Sequence, residues 1–196
     1  MIDHIRPALA TLGLMTVLTG LAYPLALTGL GQTLMPHQAN ASLIVRDGQV
    51  IGSALVGQAF AAPGYLHPRP SAVDYDAAAA GASNLGPTSA ALIADQAARA
   101  VDFVASTGAA SVPVDAVTAS GSGLDPHVSP HNAQAQAALI AAARGVPAAE
   151  VAALIETQIE PRWLGLFGEP RVNVLAVNLA LDAAFPAAPT GPRTEG

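Results

Sequence analysis

No Asp, Glu, Lys or Arg occurs between Arg6 and Arg46, and that gap constrains the chain more than any other feature in it. Its densest part, residues 8–30, is 23 residues long. At ~1.5 Å per helical residue it reaches about 34 Å, enough to cross a hydrocarbon core of ~30 Å. A secretory signal competes, because Ala39-Asn40-Ala41 resembles a small-residue cleavage site, but its apolar region should run only about 7 to 15 residues. A retained transmembrane helix is therefore expected. Arg6, His4 and the terminal amine precede it, offset by Asp3, and no charge follows until Arg46 and Asp47. The positive-inside bias then places residues 1–7 in the cytoplasm and everything after the helix outside it.

Inside the helix, Gly13, Thr16 and Gly20 share a face that another helix can approach closely. Pro24 removes one backbone hydrogen bond and is expected to kink the outer third.

Composition then narrows the function. The eight basic residues are all arginine against fourteen acids, a formal charge of −6, which excludes a nucleic-acid binder held by a basic surface. Without lysine there is no P-loop. Without cysteine there is no disulfide framework, thiolate metal site or cysteine nucleophile.

Residues 31–185 are long enough for one α+β domain with its own core. Ser42–Arg46 and Gln49–Val56 flank Asp47-Gly48, the dipeptide of a tight type I′ hairpin. Residues 57–88, crowded with Pro, Gly, Ser, Asn and Asp, read as a long ordered loop region. A helix is predicted over Thr88–Thr107 with Gly108 ending it, then a short strand over Val112–Thr118. Ser129 is a natural N-cap with Pro130 at the first helical position, leading an alanine-rich helix that Gly145 terminates. Pro147 opens a further helix to about Gln158. Arg171–Leu179, apolar on both faces, reads as a buried strand, and residues 186–196 as a disordered tail.

Several loop residues are of types that carry chemistry. His127 and His131 are four apart, but Pro130 lies between them and a solvated or capping pair outweighs a metal site. Ser120, Ser122, Asp125 and His127 supply the residue types of a hydrolytic triad, so a membrane-anchored extracytoplasmic serine hydrolase using Ser122 and His127 is the alternative function. The strained Gly-x-Ser-x-Gly elbow is absent, and neighbours along one loop seldom converge as a triad. Asp74 and Asp76, and separately Asp125, are candidate cation ligands that read better as turn formers. The Gly-rich stretch Ala119–Gly123 is a possible anion nest or a packing turn. Arg69, between two prolines, and Arg171, after Pro170, are set on stiff backbone suited to a carboxylate partner.

Beyond these residues, a set of motifs in fixed order resembles the C subunit of the Kdp potassium-transporting P-type ATPase over essentially the whole chain. After the apolar helix come Gly52-Ser53-Ala54-Leu55-Val56-Gly57-Gln58 with Phe60, Arg69-Pro70-Ser71-Ala72 leading to Tyr75-Asp76, and Ser83-Asn84-Leu85-Gly86-Pro87-Thr88. They continue with Val117 through His127, Ser129-Pro130, Gly168 through Leu175, and Asn178-Leu179-Ala180-Leu181-Asp182. Ala82, where a second glycine is expected, and His67, where an aromatic is frequent, depart from the pattern.

The resemblance implies a non-catalytic accessory subunit of an ATP-driven, high-affinity potassium uptake complex in the cell (inner) membrane. Its partners would be a channel-like potassium-binding subunit, a P-type ATPase pump subunit and a small single-helix subunit. It also implies a catalytic chaperone that raises the pump subunit's affinity for ATP. Under that role Leu55-Val56-Gly57-Gln58, loosely similar to the ABC-transporter signature, makes Gln58 the candidate nucleotide contact. No resident cofactor or metal is implied, ATP entering only with the pump subunit.

Overall fold

The computed structural model describes residues 4–186. By contact density the chain divides into two compact units, Met1–Ser53 and Ala54–Gly196.

The first unit opens on a continuous helix, Ile5–Leu34, long and apolar enough to cross a membrane. It extends past both expected ends of residues 8–30. Its parts are α1 (Ile5–Val17), a π-helical turn (Leu18–Ala22) and α2 (Tyr23–Leu34). The π turn lies immediately before Tyr23-Pro24, where the missing N–H and the ring's steric demand interrupt regular i→i−4 bonding. Thr19 and Thr28 return their hydroxyls to the carbonyls of Met15 and Pro24, four residues back.

A short α3 (Pro36–Ala39) leads to a hairpin of β1 (Leu43–Arg46) and β2 (Gln49–Ser53), paired antiparallel. Asp47 and Gly48 both have positive φ, 52° and 78°, as a type I′ turn requires. The second strand stops at Ser53 rather than running to Val56. There the Ser53 hydroxyl donates to the Ala41 carbonyl at 2.6 Å and the chain turns.

The second unit begins with the expected long loop region and then α4 (Ala90–Thr107). Ser89 is its N-cap, accepting from the Leu92 amide, and Gly108, with φ 69°, ends it in the left-handed region. The helix thus starts two residues later than Thr88. The strand expected at Val112–Thr118 is instead a single helical turn, α5 (Val114–Val117). Pro113 at its N-cap sets that turn, and Asp115 within it is drawn towards Ser129 rather than into a ladder.

Ser129 caps α6 (Pro130–Ala135) by accepting from Asn132 N, and Gly145, at φ 68°, closes α7 (Ala137–Arg144). The single helix expected over this stretch is broken at Gln136, whose amide reaches back only to Ala133. The break releases the Gln136 side chain for tertiary bonds. Pro147 then caps α8 (Ala148–Thr157), as expected.

The largest departure is at Arg171–Leu179. Only Arg171–Asn173 is strand (β5), and Val174–Ala184 is helix (α9). Asn173 switches the backbone from one to the other by accepting from Ala176 N at 3.0 Å, an N-cap bond. Apolar residues on every side look alike in a buried strand and a buried helix. β5 is the centre of a three-stranded antiparallel sheet of order β3-β5-β4, with β3 at His127–Val128 and β4 at Ile159–Glu160.

The core forms where this sheet meets α7, α8 and α9, with Val128, Ile140, Val151, Ile155, Val172, Val177 and Leu181 at most 2% exposed. Leu66, contributed by the long loop, is fully buried beside them. Of the tail read from Pro186, residues 187–196 lie outside those described.

Candidate functional site

The long loop is ordered by side chains that reach it from the helices. Asn178, on α9, accepts from the Leu66 amide at 2.7 Å and donates to the Leu66 carbonyl at 3.0 Å. Gln136 does the same to His67, at 2.9 and 3.2 Å, and also donates to Asn132. Two buried amides thus act as ladder partners for a backbone that has no strand beside it.

Those clasps deliver Arg69 to its place. Its guanidinium donates to Asp125 Oδ2 at 2.9 Å and to the Thr118 carbonyl at 3.3 Å. The carboxylate partner expected for a proline-flanked arginine is therefore on the same chain. Tyr75 donates its hydroxyl to the Arg69 carbonyl, and Ser71 accepts from the amides of Val73 and Tyr75. Burial, and the neighbouring Asp74 charge, raise the Tyr75 phenol, which keeps it a donor.

Asp125 lies at the crossing point. Burial by itself would raise its carboxyl, but hydrogen bonding from His127 and the Arg69 guanidinium together outweigh that and hold it at about 2. His127, on β3, has Nδ1 3.7 Å from Asp125 and Nε2 4.0 Å from Glu160 on β4. Glu160 in turn accepts from Arg171 Nε at 2.8 Å. Arg69, Asp125, His127, Glu160 and Arg171 thus form a chain in which carboxylates stand between basic side chains. Beside this chain opens a cleft of about 690 Å³ with Arg69, Asp125, His127, His131 and Arg171 on its walls.

The backbone on either side of Asp125 is close-packed. Gly57 donates its amide to the Leu124 carbonyl at 2.7 Å, and a Cβ on it would sit 2.6 Å from the Asp125 carbonyl oxygen. Gly123, at φ +71°, would place a Cβ 2.4 Å from a Val73 methyl. The stretch Ala119–Gly123 is thus a packing turn: its Ser120 and Gly123 amides donate to Pro70 and Ser120 carbonyls rather than facing an anion.

The other candidates sort by geometry. Ser122 accepts from Leu124 N two residues on, and no hydrogen bond joins it to His127 among the described residues, so the triad of the hydrolase reading is not assembled. His131 sits on α6 against Ser111 Oγ at 3.3 Å, on a different element from His127. Asp76 accepts from Ala78 N, an Asx turn, and Asp74 is exposed with φ 49°. Among the described residues no three His, Asp or Glu side chains are grouped to hold a metal. Gln58 is half-buried in the loop after Gly57 and lines none of the cleft's walls.

No role is read from the sequence for Asp115, Asn132, Gln136 or Glu160, and Asn178 stands there only within a family motif. Asp115 accepts from Ser129 N, Ser129 Oγ and Asn132 Nδ2 at 2.6, 2.9 and 3.2 Å, locking α5 to α6. The available signal was Asn132 and Gln136, polar residues one turn apart inside an alanine-rich helix.

The family model described as "K+-transporting ATPase, c chain" matches residues 5–183. The chain belongs to the KdpC family. Similar proteins include Potassium-transporting ATPase KdpC subunits from three bacteria. That of Cereibacter sphaeroides is 64% identical, covering 94% of this chain and 99% of the relative. That of Caulobacter vibrioides is 55% identical over 95% and 96%, and that of Rhodospirillum rubrum 54% identical over 96% and 100%. The KdpC match spans both units, so the charged cleft and the apolar helix fall within one family pattern.

Proposed function

We propose that the chain is the anchored, non-catalytic subunit of an ATP-driven potassium uptake complex. Ile5–Leu34 spans the inner membrane, the N-terminus is cytoplasmic and residues 54–186 are outside. Its partners are a channel-like potassium-binding subunit, a P-type pump subunit and a small single-helix subunit. The observation that carries the reading is the family match from the apolar helix to α9. A lysine-free chain supports the non-catalytic role, since phosphoenzyme formation in such pumps uses an Asp-Lys-Thr-Gly-type motif. The amide clasps on Leu66 and His67 and the Arg69–Asp125 pair order the long loop, which supports a role as a surface on which partner subunits assemble.

The test is to copurify the tagged chain with its genomic neighbours in mild detergent and assay potassium-stimulated, vanadate-sensitive ATPase activity. A stable active complex, lost when the chain is omitted, is the expected result. A chain that purifies alone overturns the reading. The finer role, raising the pump's affinity for ATP with Gln58 as the contact, needs residue 58 on the cytoplasmic side, where ATP is, and so competes with the outside placement of residues 54–186. In the same preparation Gln58→Ala raises the KM for ATP at unchanged kcat if that role holds and leaves it unchanged if the outside placement does.

A further inference from the structure

Trp163 is the chain's single tryptophan, and it stands 69% exposed at the base of the loop between β4 and β5. Leu164, Leu166 and Phe167 beside it are 71%, 76% and 60% exposed. So much apolar surface on a tip with no core behind it points to a partner.

The loop is nonetheless built. Leu164 and Gly165 make the turn at φ 52° and 73°, the Trp163 and Phe167 rings lie 5.6 Å apart, and Arg162 pairs with Glu169 across the base. The amides of Trp163, Gly165, Leu166 and Phe167 all donate within the loop. Between Arg162 and Glu169 there is no ionisable side chain.

These features favour a lipid surface over a protein groove. A protein partner offers hydrogen bonds to a loop's amides, whereas the acyl boundary offers none, and four amides of this loop, those of Trp163, Gly165, Leu166 and Phe167, are already satisfied within it. Tryptophan and phenylalanine at the base with leucines at the tip is the side-chain order of an element seated at a bilayer interface. The same chain carries Ile5–Leu34, and a bilayer-held anchor keeps such a surface at high effective concentration.

We propose that the loop Arg162–Glu169 is a second membrane contact, in which Leu164 and Leu166 dip into the headgroup–acyl boundary and Trp163 and Phe167 lie at the interface. The inference rests on the anchored reading above.

Its test uses Trp163 as reporter in the full chain, reconstituted in phosphatidylcholine vesicles with and without lipid brominated on the acyl chain near the headgroup. The expected result is blue-shifted emission that loses most of its intensity with brominated lipid and resists aqueous iodide. Leu164→Asp combined with Leu166→Asp, with Trp163 retained, should return the emission to that of solvent-exposed tryptophan. The wild-type arm alone decides if that variant fails to fold. Flotation with the vesicles reads the anchor separately. A chain that does not float overturns the anchored reading and the loop with it. A chain that floats, yet whose emission follows iodide and ignores bromine, overturns the loop alone. Emission shielded from both quenchers only when the partner subunits are present also overturns it, assigning the loop to a protein surface.

Discussion

Arg144 ties several separate segments together. Its side chain is 1% exposed. It donates to the carbonyls of Gly64, Leu181 and Phe185 and to Asp182 Oδ1, with the Tyr65 ring 4.9 Å away. Lysine keeps the charge but not the planar fork, so Arg144→Lys leaves buried carbonyls orphaned. A loss of about 1 to 3 kcal/mol is expected, the range for leaving buried polar groups without a partner, read as a lower urea midpoint of the full chain in detergent. Asp125 carries the pH dependence. Its folded carboxyl, at about 2 against an ordinary 3.8, contributes stability that is complete above the unfolded value and is lost as pH falls from about 4 through 2. Each pKa unit equals about 1.4 kcal/mol, but solvent screens this half-buried carboxylate, so the contribution at neutral pH is on the order of 1 kcal/mol. Asp125→Asn should remove that acid slope, and an unchanged slope would place it on another carboxylate. Gly123→Ala, strained at φ +71° and colliding with Val73, should cost about 1 to 3 kcal/mol by the same unfolding measurement.

At the scale of elements, caps were legible and hand-overs were not. Ser129-Pro130, Gly108 and Gly145 mark real helix ends, because capping chemistry acts within a few residues. The change from β5 to α9 was hidden, because Val172, Val174 and Val177 are buried whether the backbone is extended or helical. Asn173 decides between them, capping α9 and also donating to the Ala54 carbonyl at 2.9 Å. Asn173→Ala removes both bonds. It should lower stability by about 1 to 2 kcal/mol, and hydrogen exchange should show the first turn of α9 opening before the rest. α5 was missed for a similar reason: the β-branched run around Val114 favours a strand locally, but Asp115 is drawn to Ser129 and Asn132.

For the whole molecule, orientation in the membrane is open to direct measurement, since the chain has no cysteine. Ser42 is 4% exposed and unsuited to labelling, whereas Gln49, on the hairpin, is exposed. Single cysteines at Ile2 and Gln49 should label with a membrane-impermeant thiol reagent only at 49 in intact spheroplasts. Labelling only at 2 would reverse the topology. The long apolar helix, the type I′ hairpin, the helix caps and the family likeness were all written in the sequence, because each depends on local composition, turn chemistry or motif order. Tertiary structure alone decided that Arg69 and Asp125 pair and that Asn178 and Gln136 hold the Leu66–His67 backbone. It also decided that Ser122 turns to Leu124 rather than to a base. The reason is physical: those partners lie between 56 and 112 residues apart or compete with an amide two residues away, and no periodicity in a chain records which distant groups the packed core will bring within 3 Å of one another.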